Sequence, residues 1–285
     1  LNLVGQEEDP ANASLPPMLA RGIREDGSSP GQILKTQGDV TLKNLFLQYI
    51  TPTGNRPWNP MQLRSDSIRF VMDNCIIENG HGLCFKQHGI GMTAIITNCY
   101  YRNCINPGQG WGGRGFEFSN NAVDTLILVN NTYFNSSGFF FQGRTNLINY
   151  ARIEHNSIIN TVKWPFQWSY PTNAVISNNL FYNCHSYGET TLDVPGQDFD
   201  GQWFGIVNVD TLPDDVLLNF GGTEADRKVE LKNNVWFYSP VIADYQTSIA
   251  DTLADTLDFD GMIFMNDRTQ AMFDDDASYP MLEEE

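Results

Sequence analysis

The 285-residue chain has no segment rich in lysine and arginine: 17 basic residues stand against 34 acidic ones, a net charge of −17. A nucleic-acid partner is therefore not expected, because no basic face exists to neutralise phosphates. No apolar run approaches the roughly 20 residues that cross a bilayer, so no membrane insertion is expected either. Cysteine is scarce: Cys75, Cys84, Cys99, Cys104 and Cys184 are the five, and none stands in a CxxC or Cys/His metal spacing. An odd number leaves at least one thiol unpaired within the chain. Buried structural thiols are the expectation, and a disulfide among Cys75, Cys84, Cys99 and Cys104 is the alternative. Charged residues are ordinary in number, but the net charge is uneven along the chain. Residues 251–285 hold eleven acidic residues and one basic one, Arg268, a net of −10 that leaves −7 for the first 250 residues. The chain opens on "LNLVGQEEDP", which reads as a strand already under way, and closes abruptly on "MLEEE". Both ends suggest a processed or truncated piece of a longer protein.

What is present is a repeat. An asparagine followed by a short apolar run occurs seven times: "NLFLQY" at Asn44, "NCIIEN" at Asn74, "NCYYRN" at Asn98, "NTYFNS" at Asn131, "NSIINT" at Asn156, "NLFYNC" at Asn179 and "NVWFYS" at Asn234. The spacings are 30, 24, 33, 25, 23 and 55 residues. A second apolar stretch precedes each asparagine ("DVTL", "IRFVM", "TAII", "LILV", "YARI", "AVIS", "KVEL"). A third follows most copies: "GLCFKQ", "GFEFSN", "GFFFQG", "PFQWSY" and "WFGIVN". Three short strands per repeat is the arithmetic of a β-solenoid, in which each coil buries its apolar face only by stacking on its neighbours. Asparagine suits the bend because it tolerates left-handed backbone angles, and stacked copies would form a hydrogen-bonded ladder. A helix is excluded because the apolar positions come in short runs broken by Gly, Asn and Pro. A β-sandwich uses as many short strands but does not explain one asparagine register returning seven times. Alternation predicts Phe139 and Phe141 inward and Phe140 outward.

The "V-x-NN-x-F-x-N" units and their spacing resemble the single-stranded, right-handed parallel β-helix of the pectate-lyase-like superfamily. The wider texture ("LVGQEEDPANAS", "VTLKNLFLQ", "NNVWFYSP", "FMNDRTQAMFDDDASYP") is similar to uncharacterised secreted bacterial β-helix proteins that carry a C-terminal sorting tail. The likeness covers about residues 1–275. It implies an all-β solenoid with three strands per coil and an extracellular or cell-surface setting. Together with the repeat spacing it predicts about eight to ten coils. Residues 1–240 are expected to form the β-helix, with an insertion around 186–227. Residues 241–285 are expected to be an acidic, irregular segment packing on the solenoid or extending from it.

In enzymes of that superfamily the cleft lies over one sheet, and the third strand series is the candidate here. By alternation its outward residues are Cys84, Lys86, Glu117, Ser119, Phe140, Gln142, Gln167 and Ser169. Lys86 and Glu117 fall on adjacent coils, His88 follows, and Arg114 and Arg144 lie at strand edges. A lyase needs a base beside a uronate and a cation to neutralise its carboxylate. Lys86 or His88 would be the base, and Arg114 or Arg144 the cation. The competing reading is a surface Lys–Glu pair of little consequence. A glycosidase needs paired carboxylates, and Glu117 stands alone on its row. Asp193, Asp198 and Asp200 cluster in "TLDVPGQDFDG", but the Arg-x-Lys of the polygalacturonase-like group is missing and "NGHG" around His81 is only a fragment of its pattern. "DFDG" occurs at 198–201 and 258–261. With Asp193 or Asp255 nearby, Asp198, Asp200, Asp258 and Asp260 offer hard oxygen ligands for Ca²⁺; solvated acidic turns are the plainer account. No cofactor is required.

The residues two and three places after each asparagine form two apolar columns: Phe46, Ile76, Tyr100, Tyr133, Ile158, Phe181 and Trp236, and Leu47, Ile77, Tyr101, Phe134, Ile159, Tyr182 and Phe237. Only one can face the core. The other would form an outer stripe, covered by segment 240–285 or available to a polysaccharide, another surface protein or a second copy. Phe140, Gln142 and Gln167 are the candidate ligand contacts on the third sheet. The mostly neutral row and the lack of a convergent acid–base–metal set favour a structural, adhesive or glycan-contacting role over a polysaccharide lyase.

Overall fold

A computed structural model describes residues 1–5, 16–28, 30–52, 54, 56, 58–106, 112–118, 121–144, 146–163, 165–168, 170–184, 209, 211–237, 239–242 and 244. The chain winds into a right-handed parallel β-helix with three faces. The first sheet stacks eight strands: Asn2–Val4, Val40–Lys43, Arg69–Asp73, Met92–Thr97, Val123–Val129, Ile148–Glu154, Asn173–Ser177 and Lys228–Lys232. The second also stacks eight: Met18–Ala20, Phe46–Gln48, Ile76–Glu78, Tyr100–Arg102, Thr132–Ser136, Ser157–Thr161, Leu180–Tyr182 and Val235–Phe237. The third stacks six: Leu34–Thr36, Met61–Leu63, Leu83–Gln87, Arg114–Phe118, Phe141–Arg144 and Phe166–Trp168. The result is six complete turns, then two that show only the first two faces among the described residues. "WFGIVN" lies outside those residues. Before Lys228 the chain forms a short helix, Asp214–Phe220.

Alternation builds the core. In Met92–Thr97 the residues at 92, 94 and 96 are buried and those between them half-buried. Ala94 aligns with Phe70 and Leu126, and Ile96 with Met72 and Leu128. Each Leu, Ile, Met or Phe side chain so buried contributes about 1.5–3 kcal/mol of transfer free energy. On the third sheet an aromatic column runs through the interior, with Phe85 stacked on Phe116 at 4.9 Å, Phe116 stacked on Phe141 at 6.0 Å and Phe166 tilted against Phe141 at 4.9 Å.

The expected orientation of the three phenylalanines requires correction. Phe140 points inward, fully buried against Tyr101, Tyr133 and Phe116. The strand begins only at Phe141, so strand alternation does not govern Phe140. Phe139 is also buried, with the Lys163 ammonium 5.4 Å above its ring. Cys84, likewise expected outside, belongs to the core.

All seven repeat asparagines lie at one corner, between the first and second sheets, but in two adjacent positions. The left-handed position is held by Asn44, Asn74, Asn98, Asn130, His155, Asn178 and Asn233, with φ between 51° and 58°. The position after it is buried and holds Leu45, Cys75, Cys99, Asn131, Asn156, Asn179 and Asn234. Asn44, Asn74 and Asn98 are therefore bend residues, whereas Asn131, Asn156, Asn179 and Asn234 form an internal ladder. Asn131 Nδ2 donates to Asn156 Oδ1 at 3.0 Å, Asn156 Nδ2 to Asn179 Oδ1 at 2.9 Å, and Asn179 Nδ2 to Asn234 Oδ1 at 2.9 Å. The second amide hydrogens go to the carbonyls of Ile96, Leu128 and Ile153. Each ladder oxygen also accepts the backbone N–H one turn back, from Cys99, Asn131, Asn156 or Asn179. A second corner, after the second sheet, repeats the left-handed bend at Asn79, Asn103, Asn135, Asn160 and Asn183.

Candidate functional site

Two outward surfaces carry side chains that the core does not claim. The first is a polar row on the third sheet. Parallel register aligns Gln62 with Lys86, Lys86 with Glu117, Glu117 with Gln142, and Gln142 with Gln167. Lys86 Nζ lies 3.3 Å from Glu117 Oε1, and Arg114 Nη1 lies 3.1 Å from Oε2. Arg114 also donates to the Gln142 amide oxygen, and the Gln142 amide donates to Gln167. The row is closed rather than solvated: Glu117 is only 3% exposed, Arg114 4% and Gln142 1%. Its carboxylate thus has a cation on each oxygen, an arrangement that breaking either pair would destabilise strongly.

The sequence-predicted residues are therefore partly assembled. Lys86, Glu117, Arg114, Gln142 and Gln167 meet in one network. Arg114 occupies the carboxylate of Glu117 instead of standing free at a strand edge. His88 follows the strand, and its backbone N–H donates to Leu63. Burial, with Lys86 and Arg64 nearby, holds its imidazole below the usual pKa against the opposing pull of Glu117. Arg144 ends its strand, where the register against Phe166–Trp168 shifts. Phe140 is removed from the ligand surface by its inward orientation. Gln62 and Arg64, which sequence reasoning missed, extend the row, with Arg64 Nε donating to Gln62 Oε1 at 2.9 Å. The alternation in "MQL" carried that signal, without the glycine lead of Leu83–Gln87 and Arg114–Phe118. Asp193, Asp198, Asp200, Asp255, Asp258 and Asp260 lie outside the described residues, as do Ser119 and Ser169. Among the described residues, no three His, Cys, Asp or Glu side chains gather as a metal site.

The second surface is the outer face of the second sheet. Neither column read from the sequence is the outer one throughout, because the repeat asparagines occupy two positions. Leu47, Ile77, Tyr101, Tyr133, Ile158 and Phe181 face the core. Phe46, Ile76 and Tyr100, then Phe134, Ile159, Tyr182 and Phe237, face outward. Tyr100 is 42% exposed and the others are half-buried. Tyr100 aligns with Thr132, and Phe134 with Arg102, so the stripe steps sideways by one outward column at that rung. Beside its first half runs a polar track in which Gln48 and Arg102 both contact Glu78, at 3.1 and 3.0 Å. Its far end is a ring stack of Tyr182 on Phe237, 5.3 Å apart and 25° from parallel.

Among the described residues no helix is long and apolar enough to cross a membrane. Fold and surfaces define a parallel β-solenoid with a closed polar row and a partly buried apolar stripe. Most of the segment 240–285 expected to cover that stripe, like the part of the expected insertion before residue 209, lies outside the described residues. Comparison with models of protein families, with curated proteins and with solved structures gives no match.

Proposed function

We propose that this is a secreted or cell-surface β-helix protein with a structural, adhesive or glycan-contacting role, and that the outer face of its second sheet makes the contact. The apolar stripe carries the reading: apolar side chains recur on successive rungs and end in the Tyr182–Phe237 stack, the kind of surface on which sugar rings and apolar protein groups pack. The resemblance to the pectate-lyase-like superfamily, and to secreted bacterial proteins with a sorting tail, supports the extracellular setting. The closed network around Glu117 supports a non-catalytic role, because Lys86 and Arg114, a candidate base and a candidate cation, are both engaged on that carboxylate and a general base has to reach its substrate's proton.

A polysaccharide lyase is the second reading. It draws support from Lys86 and Arg114 converging on one carboxylate, as two cations would on a uronate. Two assays separate the readings. Affinity electrophoresis through gels containing neutral and uronate polysaccharides measures retention; Tyr182→Ala and Phe237→Ala should each weaken it roughly tenfold, about 1.4 kcal/mol. Release of unsaturated product from uronate polymers, abolished by Lys86→Ala, would overturn the proposal in favour of a lyase.

A further inference from the structure

Four of the five thiols stand in two pairs on the third and fourth turns, and the pairs differ. Cys75 and Cys99 stack at the first corner, where the two thiols interact with each other and each sulfur also contacts backbone carbonyls. Cys99 Sγ contacts Thr97 O at 3.2 Å, and Cys75 Sγ contacts Asp73 O at 3.4 Å and Leu42 O at 3.6 Å. Cys84 and Cys104 face each other inside the core. Their sulfurs are 3.5 Å apart, both residues are fully buried, and the nearest carbonyl to Cys104 Sγ, that of Arg102, is 3.8 Å away. Cys184 Sγ lies against Ile158 O at 3.2 Å.

The local sequence makes room for this meeting. The inward position after the second corner is Gly80 on the third turn and Cys104 on the fourth, each following a left-handed asparagine. A Cβ at position 80 would lie 2.9 Å from Cys84 Sγ and 3.2 Å from Cys104 Sγ. Glycine leaves the volume in which the two sulfurs sit. Closing 3.5 Å to a disulfide bond of about 2.05 Å brings the two sulfurs together by about 1.5 Å.

We infer that Cys84 and Cys104 form an intramolecular disulfide when the chain folds in the presence of a disulfide oxidant, stapling the third turn to the fourth. A thiolate of one cysteine attacks the oxidant's disulfide, breaking its S–S bond and releasing one thiolate; the second cysteine's thiolate then attacks the protein sulfur of the mixed disulfide and expels the oxidant's other thiolate. Two S–H bonds are lost and one S–S bond forms; the oxidant takes both electrons and leaves as two thiols, with the protons. Burial raises the Cys84 thiol well above its ordinary pKa, so the finished fold supplies little thiolate and no access. The exchange belongs to folding, before the fourth turn covers the third. The inference goes beyond the surface role proposed above and does not depend on it.

The test is oxidative refolding. Reduced, denatured protein is refolded in an oxidising glutathione pair, remaining thiols are alkylated, and peptides are mapped by mass spectrometry. The expected result is three alkylated cysteines of the five, a Cys84–Cys104 peptide, and a melting temperature roughly 5 °C above that of the reduced protein. Cys184→Ser should keep the cross-link, and Cys104→Ser should lose both it and the thermal gain. Five alkylated thiols in protein refolded to a β-rich circular dichroism spectrum would overturn the inference. So would a dominant Cys75–Cys99 link. If Cys104→Ser does not fold, the wild-type peptide map decides alone.

Discussion

Two neighbouring asparagines at the first corner of the fifth turn do different physical work. Asn130 has φ of 58° and an exposed side chain. Its role is to occupy left-handed backbone at low cost, with an added hydrogen bond of 2.7 Å to Asn98. Asn131 is 1% exposed, donates to Asn156 and Ile96, and accepts the Cys99 N–H. Glycine serves the first role as well as asparagine, while removing a buried amide orphans every group it satisfied. Asn130→Gly should therefore change stability by under about 0.5 kcal/mol, and Asn131→Ala should cost about 3 kcal/mol, as read by urea denaturation. Equal effects at the two sites would contradict the two-position corner. This distinction was only half legible. The doublets at 130–131, 178–179 and 233–234 show that one asparagine bends and the other points elsewhere. A pattern search that aligns the first asparagine of each apolar run treats Asn98 and Asn131 as equivalents, although they lie one register position apart.

At the scale of the strand, that single shift decides which aromatic side chains are core. The three strand series, their order and their parallel stacking were legible because each apolar run is short and repeats with the asparagine. Inside and outside were not, since Tyr133 and Phe134 are both apolar enough for either face. Tyr133 is fully buried, and its hydroxyl donates to Gly113 O at 2.5 Å, with Gly138 O 3.3 Å away. Phe134 lies half-buried on the outer face. Tyr133→Ala should cost about 3–5 kcal/mol and Phe134→Ala under about 1 kcal/mol. The reverse order in thermal or chemical denaturation would place the strand on the opposite register. The polar row of the third sheet shows the same division. Adjacency of Lys86 and Glu117 followed from coil spacing. The capture of Glu117 by Arg114, three residues earlier in its own strand, depends on side-chain reach that no repeat encodes. Nor does any repeat encode the inward turn of Phe140, which precedes its strand.

At the scale of the molecule, six complete turns and two that show two faces among the described residues share one core, and each turn is stable only through its neighbours. A continuous stack has one geometric consequence that a pair of face-to-face sheets lacks: positions far apart in sequence lie in a straight column, one strand spacing per turn. Thr41, Val71, Ile95, Ile127, Arg152, Val175 and Glu230 are such a column on the outer face of the first sheet. Six steps of about 4.8 Å separate its ends by roughly 29 Å. The native thiols are buried, so spin labels placed through Thr41→Cys and Glu230→Cys report on the column alone. Pulsed electron–electron resonance on the doubly labelled protein is the most direct test of the stacking. A single narrow distance distribution near about 30 Å is the predicted result, and a broad distribution, or one centred far from that value, would contradict the solenoid.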